Sequence, residues 1–237
     1  FKKINYFYNK ECFQNNPECL ESKKRLVFSF GDTQMRHLLN SIENLENANL
    51  VYLIIKKQCL LSSKLKHIAF MKFHLKLESP QDCFESFEKM KKILIESEKI
   101  KSDKIIVLSS WYNWYFKNRL ILNQKNKIVD EKSSYKILSN ELNLLLNSFE
   151  KRPDLKFLFI LPPPRFLHSP RACALNNKKC LMKFSDYKYQ IHELSLLYKD
   201  LKDKFDNIEI LEPKIFFCKE NINYCSMKGN LNQDLIH

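Results

Sequence analysis

The sequence predicts a three-layer α/β domain, in which a mostly parallel sheet is covered by helices on both faces. Short apolar runs, typical of buried strands, alternate along the chain with longer segments in which apolar residues recur at helical spacing. Right-handed crossovers between parallel strands stack such helices on the two faces of one sheet. The chain has 237 residues, which is enough to bury a full hydrophobic core.

The most informative stretch of the sequence is the first predicted strand with the turn that follows it. Residues 26–30 are an apolar run that ends at Gly31, Asp32 and Thr33, and apolar residues at helical spacing follow at once. Gly31 is one of only two glycines, and a residue without Cβ can take conformations closed to the others. Such a turn exposes one side chain and leaves backbone N–H groups free for an oxyanion or a phosphate. An ordinary strand–helix turn, capped by Asp32 or Thr33, is the alternative interpretation.

The first half of the chain adds two strands and one helix. Residues 1–24 are predicted to form a lead-in segment with a stapled turn, so that the α/β domain comprises residues 25–237. Residues 56–82 are predicted to be a long irregular connection. The regular elements are predicted at residues 50–55 (strand), 84–95 (helix) and 104–111 (strand).

The second half begins with a predicted polar loop at residues 117–132, followed by a helix that Ser133 or Ser134 caps. The next strand is predicted at residues 155–161, where three consecutive prolines terminate it. Ser185 or Asp186 then begins a helix that runs to about residue 204, and residues 208–211 form a short fifth strand. The last 26 residues show little periodicity.

Eight cysteines indicate disulfides and an oxidising compartment. Three neighbouring pairs share a separation of seven positions, and the two remaining cysteines pair by elimination. The predicted bridges are Cys12–Cys19, Cys173–Cys180, Cys218–Cys225 and Cys59–Cys83. Sequence alone does not prove this pairing. The alternative is a set of free, buried thiols.

The formal net charge of +13 comes mostly from lysines spread along the chain, with only six arginines. No basic helix, basic tail or aromatic–basic motif of the RNA-binding type is visible, so we expect no nucleic-acid partner. Weak attraction to anionic glycans or lipid headgroups fits the charge better. No window approaches the ~20 unbroken apolar residues of a membrane helix. The first residue is Phe1 and no signal peptide is visible in the sequence, so we expect a mature or excised domain that is truncated at its C-terminal end.

The parts suggest acyl transfer, which needs a nucleophilic hydroxyl, a base, a group that orients the base, and donors for the oxyanion. Thr33 offers the hydroxyl. Asp234 and His237 lie three positions apart, so a carboxylate can reach Nδ1 of the imidazole while Nε2 faces the nucleophile. We expect the residues after strand ends to converge on one rim. They are Thr33, Trp111, Asn113, Pro164 and the last loop.

With these residues in order, the chain resembles the SGNH hydrolase family, also called GDSL-like. The closest resemblance is to the SGNH domains fused to acyltransferase-3 membrane proteins that O-acylate bacterial surface glycans. It rests on residues 27–38 around Gly-Asp-Thr, on residues 105–111, on residues 161–173 with their prolines, and on residues 217–237 with the final Asp-x-x-His. These stretches lie between residues 26 and 237, most of the chain.

The resemblance implies a flavodoxin-like fold with five parallel strands and chemistry on acetyl or other short acyl esters of sugars. It implies a triad of Thr33, His237 and Asp234, with Gly31, Asp32 and Trp111 supporting the motifs. The backbone N–H of Thr33 and the side chain of Asn113 become the oxyanion donors. Thr33 stands where the family has serine, and the family's glycine block has no counterpart in this chain.

The resemblance also implies a periplasmic or otherwise extracytoplasmic location. A glycan or glycan ester is the expected substrate, and an acyltransferase-3 membrane domain in the same full-length chain is a further expected partner. No cofactor is expected, and no set of histidine, aspartate and cysteine has metal-ligand spacing.

Two other functions remain open. One is a catalytically weakened glycan-binding module with the same fold. The other is a disulfide-rich, basic domain that sits on anionic polymers. The aromatic run at residues 111–116 fits stacking on sugar rings or packing in the core. Arg165 and Arg171 fit contacts to an anionic glycan or a solvated loop.

Overall fold

The computed structural model describes residues 25–31, 48–55, 60, 62–71, 74–76, 80–166, 181–219 and 223–226. The strands in these ranges are β1 (Arg25–Gly31), β2 (Ala48–Ile55), β3 (Leu65–Met71), β4 (His74–Lys76), β5 (Lys104–Ser109), β6 (Leu120–Asn123), β7 (Ile128–Val129), β8 (Leu155–Ile160), β9 (Leu181–Lys183), β10 (Ile208–Leu211), β11 (Cys218–Lys219) and β12 (Tyr224–Ser226). The helices are α1 (Pro80–Glu96), α2 (Tyr112–Asn118), α3 (Glu131–Asn147), α4 (Phe184–Lys204) and α5 (Lys214–Phe217). A 3-10 turn, Ser97–Lys99, extends α1.

The central sheet has the strand order β10-β8-β5-β1-β2, and every pairing in it is parallel. Successive residues of a strand face opposite sides of a sheet. Val27 and Phe28 in β1 are 3% and 0% exposed, so both faces of the sheet are covered. The predicted α/β class is confirmed, and burial on both faces is compatible with three layers.

The strands of this sheet lie where the apolar runs predict them. The observed β5 and β8 end two residues and one residue before the predicted ends, and β10 has the predicted bounds. The helix predicted at residues 84–95 is α1, which begins four residues earlier. The lead-in segment and the helix predicted after β1 lie outside the described residues.

Two predicted loops were wrong. The connection at residues 56–82 contains β3 and β4, and the polar loop at residues 117–132 contains β6 and β7. These strands form a second, antiparallel sheet in the order β4-β3-β6-β7. β4, β6 and β7 are only three, four and two residues long, and β3 pairs with β6 across a long sequence separation, as in Leu65 with Asn123. Local periodicity carries no signal for such pairing.

The predicted caps of two helices also need correction. Asp130, not Ser133 or Ser134, caps α3, because the helix begins at Glu131, three residues before the earliest start that a serine cap predicts. The Oδ1 atom of Asp130 accepts the backbone N–H of Ser133 at 2.9 Å, which lowers the pKa of this carboxyl. Helix α4 begins at Phe184 after Lys183, which makes no side-chain capping bond.

A buried ion pair joins β5 to the segment before β8 at the amino ends of the strands. Lys104, whose side chain is fully buried, donates from Nζ to Asp154 Oδ2 at 2.6 Å and to the carbonyls of Ile100 and Ser102, each at 2.7 Å. Arg152 binds both oxygens of the same carboxylate at 2.7 Å. Hydrogen bonds from Arg152, together with those from Lys104, hold the pKa of Asp154 well below its usual range.

A buried carboxylate attaches the loop before β3 to α3. Glu141 is 3% exposed and accepts the Ser62 hydroxyl at 2.5 Å. It also accepts both the backbone N–H and the hydroxyl of Ser63. Burial raises the pKa of Glu141, and the serine hydrogen bonds counteract only part of this effect.

A disulfide between Cys218 and Cys225 confirms one predicted bridge. The two residues are paired across β11 and β12, with 3.8 Å between their Cα atoms. β12 also pairs with β9, which makes a small antiparallel sheet. The pairs Cys12–Cys19, Cys59–Cys83 and Cys173–Cys180 lie outside the residues whose side chains the structure describes.

Candidate functional site

The carboxyl ends of β1 and β5 meet at the point where the strand order of the central sheet reverses. From β1, the chain continues to β2 on one side, while β5 and the later strands lie on the other side. Gly31, the last residue of β1, pairs with Ser109, the last residue of β5. In open α/β sheets ligands bind in the crevice beyond such a reversal, so this rim is the candidate site.

One predicted catalytic residue, Thr33, closely follows this rim in sequence. β1 ends at Gly31, so Asp32 and Thr33 are the next two residues in the sequence after this strand end. Thr33, Asp32, Asp234 and His237 lie outside the described residues. The triad therefore stays a prediction.

Two buried serines at the rim were missed by the sequence analysis. Ser29 and Ser109 lie on one face of the sheet, because Ser29 is two residues before Gly31, which pairs with Ser109. They are 0% and 1% exposed, and neither hydroxyl has a hydrogen-bond partner among the described residues. A hydroxyl inside an otherwise apolar strand run was the signal that could have identified them.

Asn113 lies directly beyond β5, as predicted, but its side chain contacts a helix. Trp111 caps α2, and its carbonyl accepts the backbone N–H groups of Trp114 and Tyr115. This turn places Asn113 in the first turn of α2, where it is 7% exposed. Its Nδ2 donates to the carbonyl of Gln190 in α4 at 3.0 Å, and its Oδ1 has no partner among the described residues. One of its two amide hydrogens is thus committed to α4.

The aromatic run at residues 111–116 divides between core and surface. Tyr112, Tyr115 and Phe116 are buried in the core, and Phe116 meets Tyr135 of α3 edge to face at 4.9 Å. Trp111 and Trp114 are only partly buried. Core packing therefore accounts for three of the aromatic residues, while the two tryptophans pack against the core and stay partly exposed.

Two arginines stack on Trp114. The guanidinium carbons of Arg119, at the end of α2, and Arg165, beyond β8, each lie 4.6 Å from the centre of the indole ring. Arg165 is exposed, as the solvated-loop interpretation requires, but it is not isolated. Arg119 was missed, and its place five positions after Trp114 gave no helical-face signal. Arg171 lies outside the described residues.

A groove beside α4 contains a serine, a histidine and a carboxylate, which are the residue types of a catalytic triad. Ser195, His192 and Glu212 line this cavity of about 240 Å³. Glu212 pairs with Lys214 at 2.9 Å, and no hydrogen bond links Ser195 to His192 among the described residues. The groove therefore lacks the connected nucleophile and base of a triad.

Metal binding and membrane insertion find no support in the part of the chain that the structure describes. No group of three or more histidine, cysteine, aspartate or glutamate residues there could hold a metal ion. No helix in the same part is long and apolar enough to cross a membrane.

Comparison of the chain with protein-family models, with curated proteins and with solved structures gives no match. The functional interpretation therefore rests on the residues and on the geometry of the rim.

Proposed function

We propose that this chain is an SGNH-type domain of flavodoxin-like topology that hydrolyses or transfers short acyl groups carried as esters on cell-surface glycans. One observation carries the proposal. Numbered among themselves, the five parallel strands lie in the order 2-1-3-4-5, the order of flavodoxin-like sheets. Gly31 at the end of β1 therefore lies next to Ser109 at the end of β5, after which Trp111 and helix α2 follow.

In the proposed reaction, the Thr33 hydroxyl attacks the acyl carbonyl while His237 Nε2 takes its proton and Asp234 orients the imidazole. The C–O bond to the sugar breaks, and His237 returns the proton to the leaving sugar oxygen. The resulting acyl-enzyme then passes its acyl group to water or to another sugar hydroxyl. The backbone N–H of Thr33 donates to the oxyanion in both steps.

The burial of Asn113 supports its role as the second oxyanion donor. A primary amide carries two N–H groups. One of them is held by the Gln190 carbonyl, so the side chain is fixed and the second hydrogen can point elsewhere. A donor that is already oriented costs no reorganisation when the oxyanion forms.

We further propose an extracytoplasmic location, either periplasmic or at the outer face of a membrane, and an acyltransferase-3 membrane domain as a partner in the full-length chain. The Cys218–Cys225 disulfide supports the location, because disulfides persist in oxidising compartments.

Hydrolysis of a small aryl acetate by the full-length protein tests the reaction. Threonine carries an extra methyl group that stiffens χ1 and crowds the nucleophile. Thr33→Ser is therefore expected to raise kcat, while Thr33→Ala and His237→Ala abolish the activity. Equal inertness of the wild type, Thr33→Ser and Thr33→Ala on esters would exclude the catalytic function.

That outcome favours the second candidate, a glycan-binding module on the same fold. The partly buried Trp114 with its two stacked arginines supports this candidate, because aromatic and basic groups at a rim can bind a ligand without chemistry.

A further inference from the structure

Arg119, Trp114 and Arg165 form a compact group that we call the arginine–tryptophan cluster. The two guanidinium carbons lie at the same distance, 4.6 Å, from the centre of the indole ring. Both contacts are within the range of a cation–π interaction, and Trp is the best aromatic partner for it. The cluster therefore brings two positive charges to a single ring.

Neither guanidinium has an acceptor in the part of the chain that the structure describes. Among the described residues, Arg119 and Arg165 take part in no ion pair and no side-chain hydrogen bond, and the Nε atom of Arg119 is buried without a partner. Arg152 shows how the same chain satisfies an arginine, with two bonds to Asp154 and one at 3.5 Å to the Leu94 carbonyl. A buried donor that makes no hydrogen bond costs free energy, so a bound ligand that supplies an acceptor to Arg119 Nε would remove this cost.

The positive charges of Arg119 and Arg165 also have no carboxylate partner among the described residues. Burial, and then the positive charge of Arg119, lower the pKa of Arg165. Lys117 adds a third cation on the same helix, where its ammonium lies 4.4 Å from the centre of the Tyr189 ring. Two neighbouring guanidinium groups that have no carboxylate partner among the described residues favour the binding of an anion.

Gln190 connects the cluster to the candidate crevice. Its side-chain Oε1 accepts the backbone N–H of Arg165 at 3.3 Å, and its backbone carbonyl accepts the amide of Asn113 at 3.0 Å. A ligand held by the cluster would thus lie beside the residue that is proposed to stabilise the oxyanion.

We propose that the arginine–tryptophan cluster binds one oxyanion, a carboxylate or a sulfate, of an acidic sugar. The planar forks of arginine match such groups with paired hydrogen bonds. A nucleic-acid groove instead uses cations that follow a repeating phosphate backbone, whereas these two converge on one point. The identification of the ligand as a glycan rests on the proposed function; the oxyanion site does not.

Fluorescence of Trp114 provides the test, because the chain has only two tryptophans and Trp111→Phe leaves Trp114 as the sole indole. The full chain with this substitution is titrated with oligogalacturonate (carboxylate), heparin oligosaccharide (sulfate), neutral dextran and single-stranded DNA. We expect one of the two acidic glycans to bind and dextran not to bind. Calorimetry on the unsubstituted protein checks that Trp111→Phe has not altered the site.

The charge-matched control is at the opposite end of the sheet. Arg119→Gln and Arg165→Gln are each expected to weaken binding about tenfold or more, the factor that corresponds to loss of one charge-assisted hydrogen bond. The double variant Lys101→Gln/Lys151→Gln removes two exposed charges near the amino ends of the strands and is expected to change affinity less than about threefold. Because Arg165 is exposed, Arg165→Gln remains informative if Arg119→Gln fails to fold.

Four results would overturn the proposal: no binding of either acidic glycan, equal binding of dextran, equal losses in the arginine and lysine variants, or tighter binding of DNA. Binding is measured without turnover, so its failure is distinguishable from failure of the ester assay.

Discussion

Replacement of Asp154 by Asn tests whether the ion pair at the amino ends of the strands stabilises the sheet. The Lys104 side chain is fully buried, and Asp154 is its only carboxylate partner among the described residues. Removal of one partner from a buried pair costs about 3–5 kcal/mol, because the other charge stays buried without compensation. The Asp154 side chain is 28% exposed and water can replace part of the lost interaction, so we expect a loss of about 3 kcal/mol.

Urea unfolding and calorimetry measure this loss. A change of about 3 kcal/mol corresponds to roughly 6–12 °C in Tm for a domain of this size. Asp200→Asn is the matched control, because it breaks an exposed pair with Lys204 in which both side chains are about half exposed. Such surface pairs contribute about 0–1 kcal/mol. Conversion of both buried partners, in Lys104→Met/Asp154→Leu, is expected to recover part of the loss.

The stabilisation by Asp154 is expected to decrease as the pH is lowered. The pKa of Asp154 is depressed in the folded state, so its contribution is present above the ordinary carboxyl pKa of 3.8 and is lost as pH falls through the depressed value. The difference between wild type and Asp154→Asn should therefore be full near pH 7 and smaller at pH 3. A loss below about 1 kcal/mol at pH 7, or a difference that does not shrink in acid, would refute the reasoning.

Three further substitutions test other parts of the structure. Burial raises the pKa of Glu141, so its contribution to the free energy of unfolding is full below the ordinary pKa of 4.5 and is lost as pH rises through the raised value. Glu141→Gln should therefore reduce the fall of the unfolding free energy with rising pH, which urea unfolding at several pH values measures. Tyr135→Phe removes a buried hydroxyl that has no partner among the described residues and should raise the free energy of unfolding by up to about 1 kcal/mol; a clear loss would reveal a partner. Cys218→Ser/Cys225→Ser opens a short loop and should cost about 2–3 kcal/mol, whereas an unchanged urea midpoint would contradict this estimate.

The central sheet was predictable because its strands are buried on both faces. Such strands appear as continuous apolar runs, as in residues 26–30 and 208–211. The strands β3 and β6 escaped prediction because Lys66 and His67 interrupt the apolar residues of β3, because β6 has only four residues, and because their hydrogen bonds join distant segments. The N-cap of α3 was assigned to the wrong residue because aspartate and serine are both preferred N-cap residues, and Asp130 lies close to two serines in the sequence.

The candidate site was predictable only in part. Trp111 and Asn113 were assigned to the rim because they follow a strand end, and in the structure both lie shortly after β5, at the start of α2. The commitment of the Asn113 amide to Gln190 was not predictable, because it depends on how α4 packs against α2. Arg119 could not be recognised either, since its significance comes from Arg165, which is brought near by the pairing of β8 with β5.

By itself, the sequence predicted the α/β class, the positions of the central strands and the Cys218–Cys225 bridge, because these depend on local apolar patterning and on short spacing. The tertiary structure alone decided the strand order, and with it which turns are neighbours at the rim. Strand order depends on which apolar faces pack together, and similar apolar runs do not specify their neighbours. The pairing of Gly31 with Ser109 and the meeting of Arg119 with Arg165 on Trp114 both follow from that order.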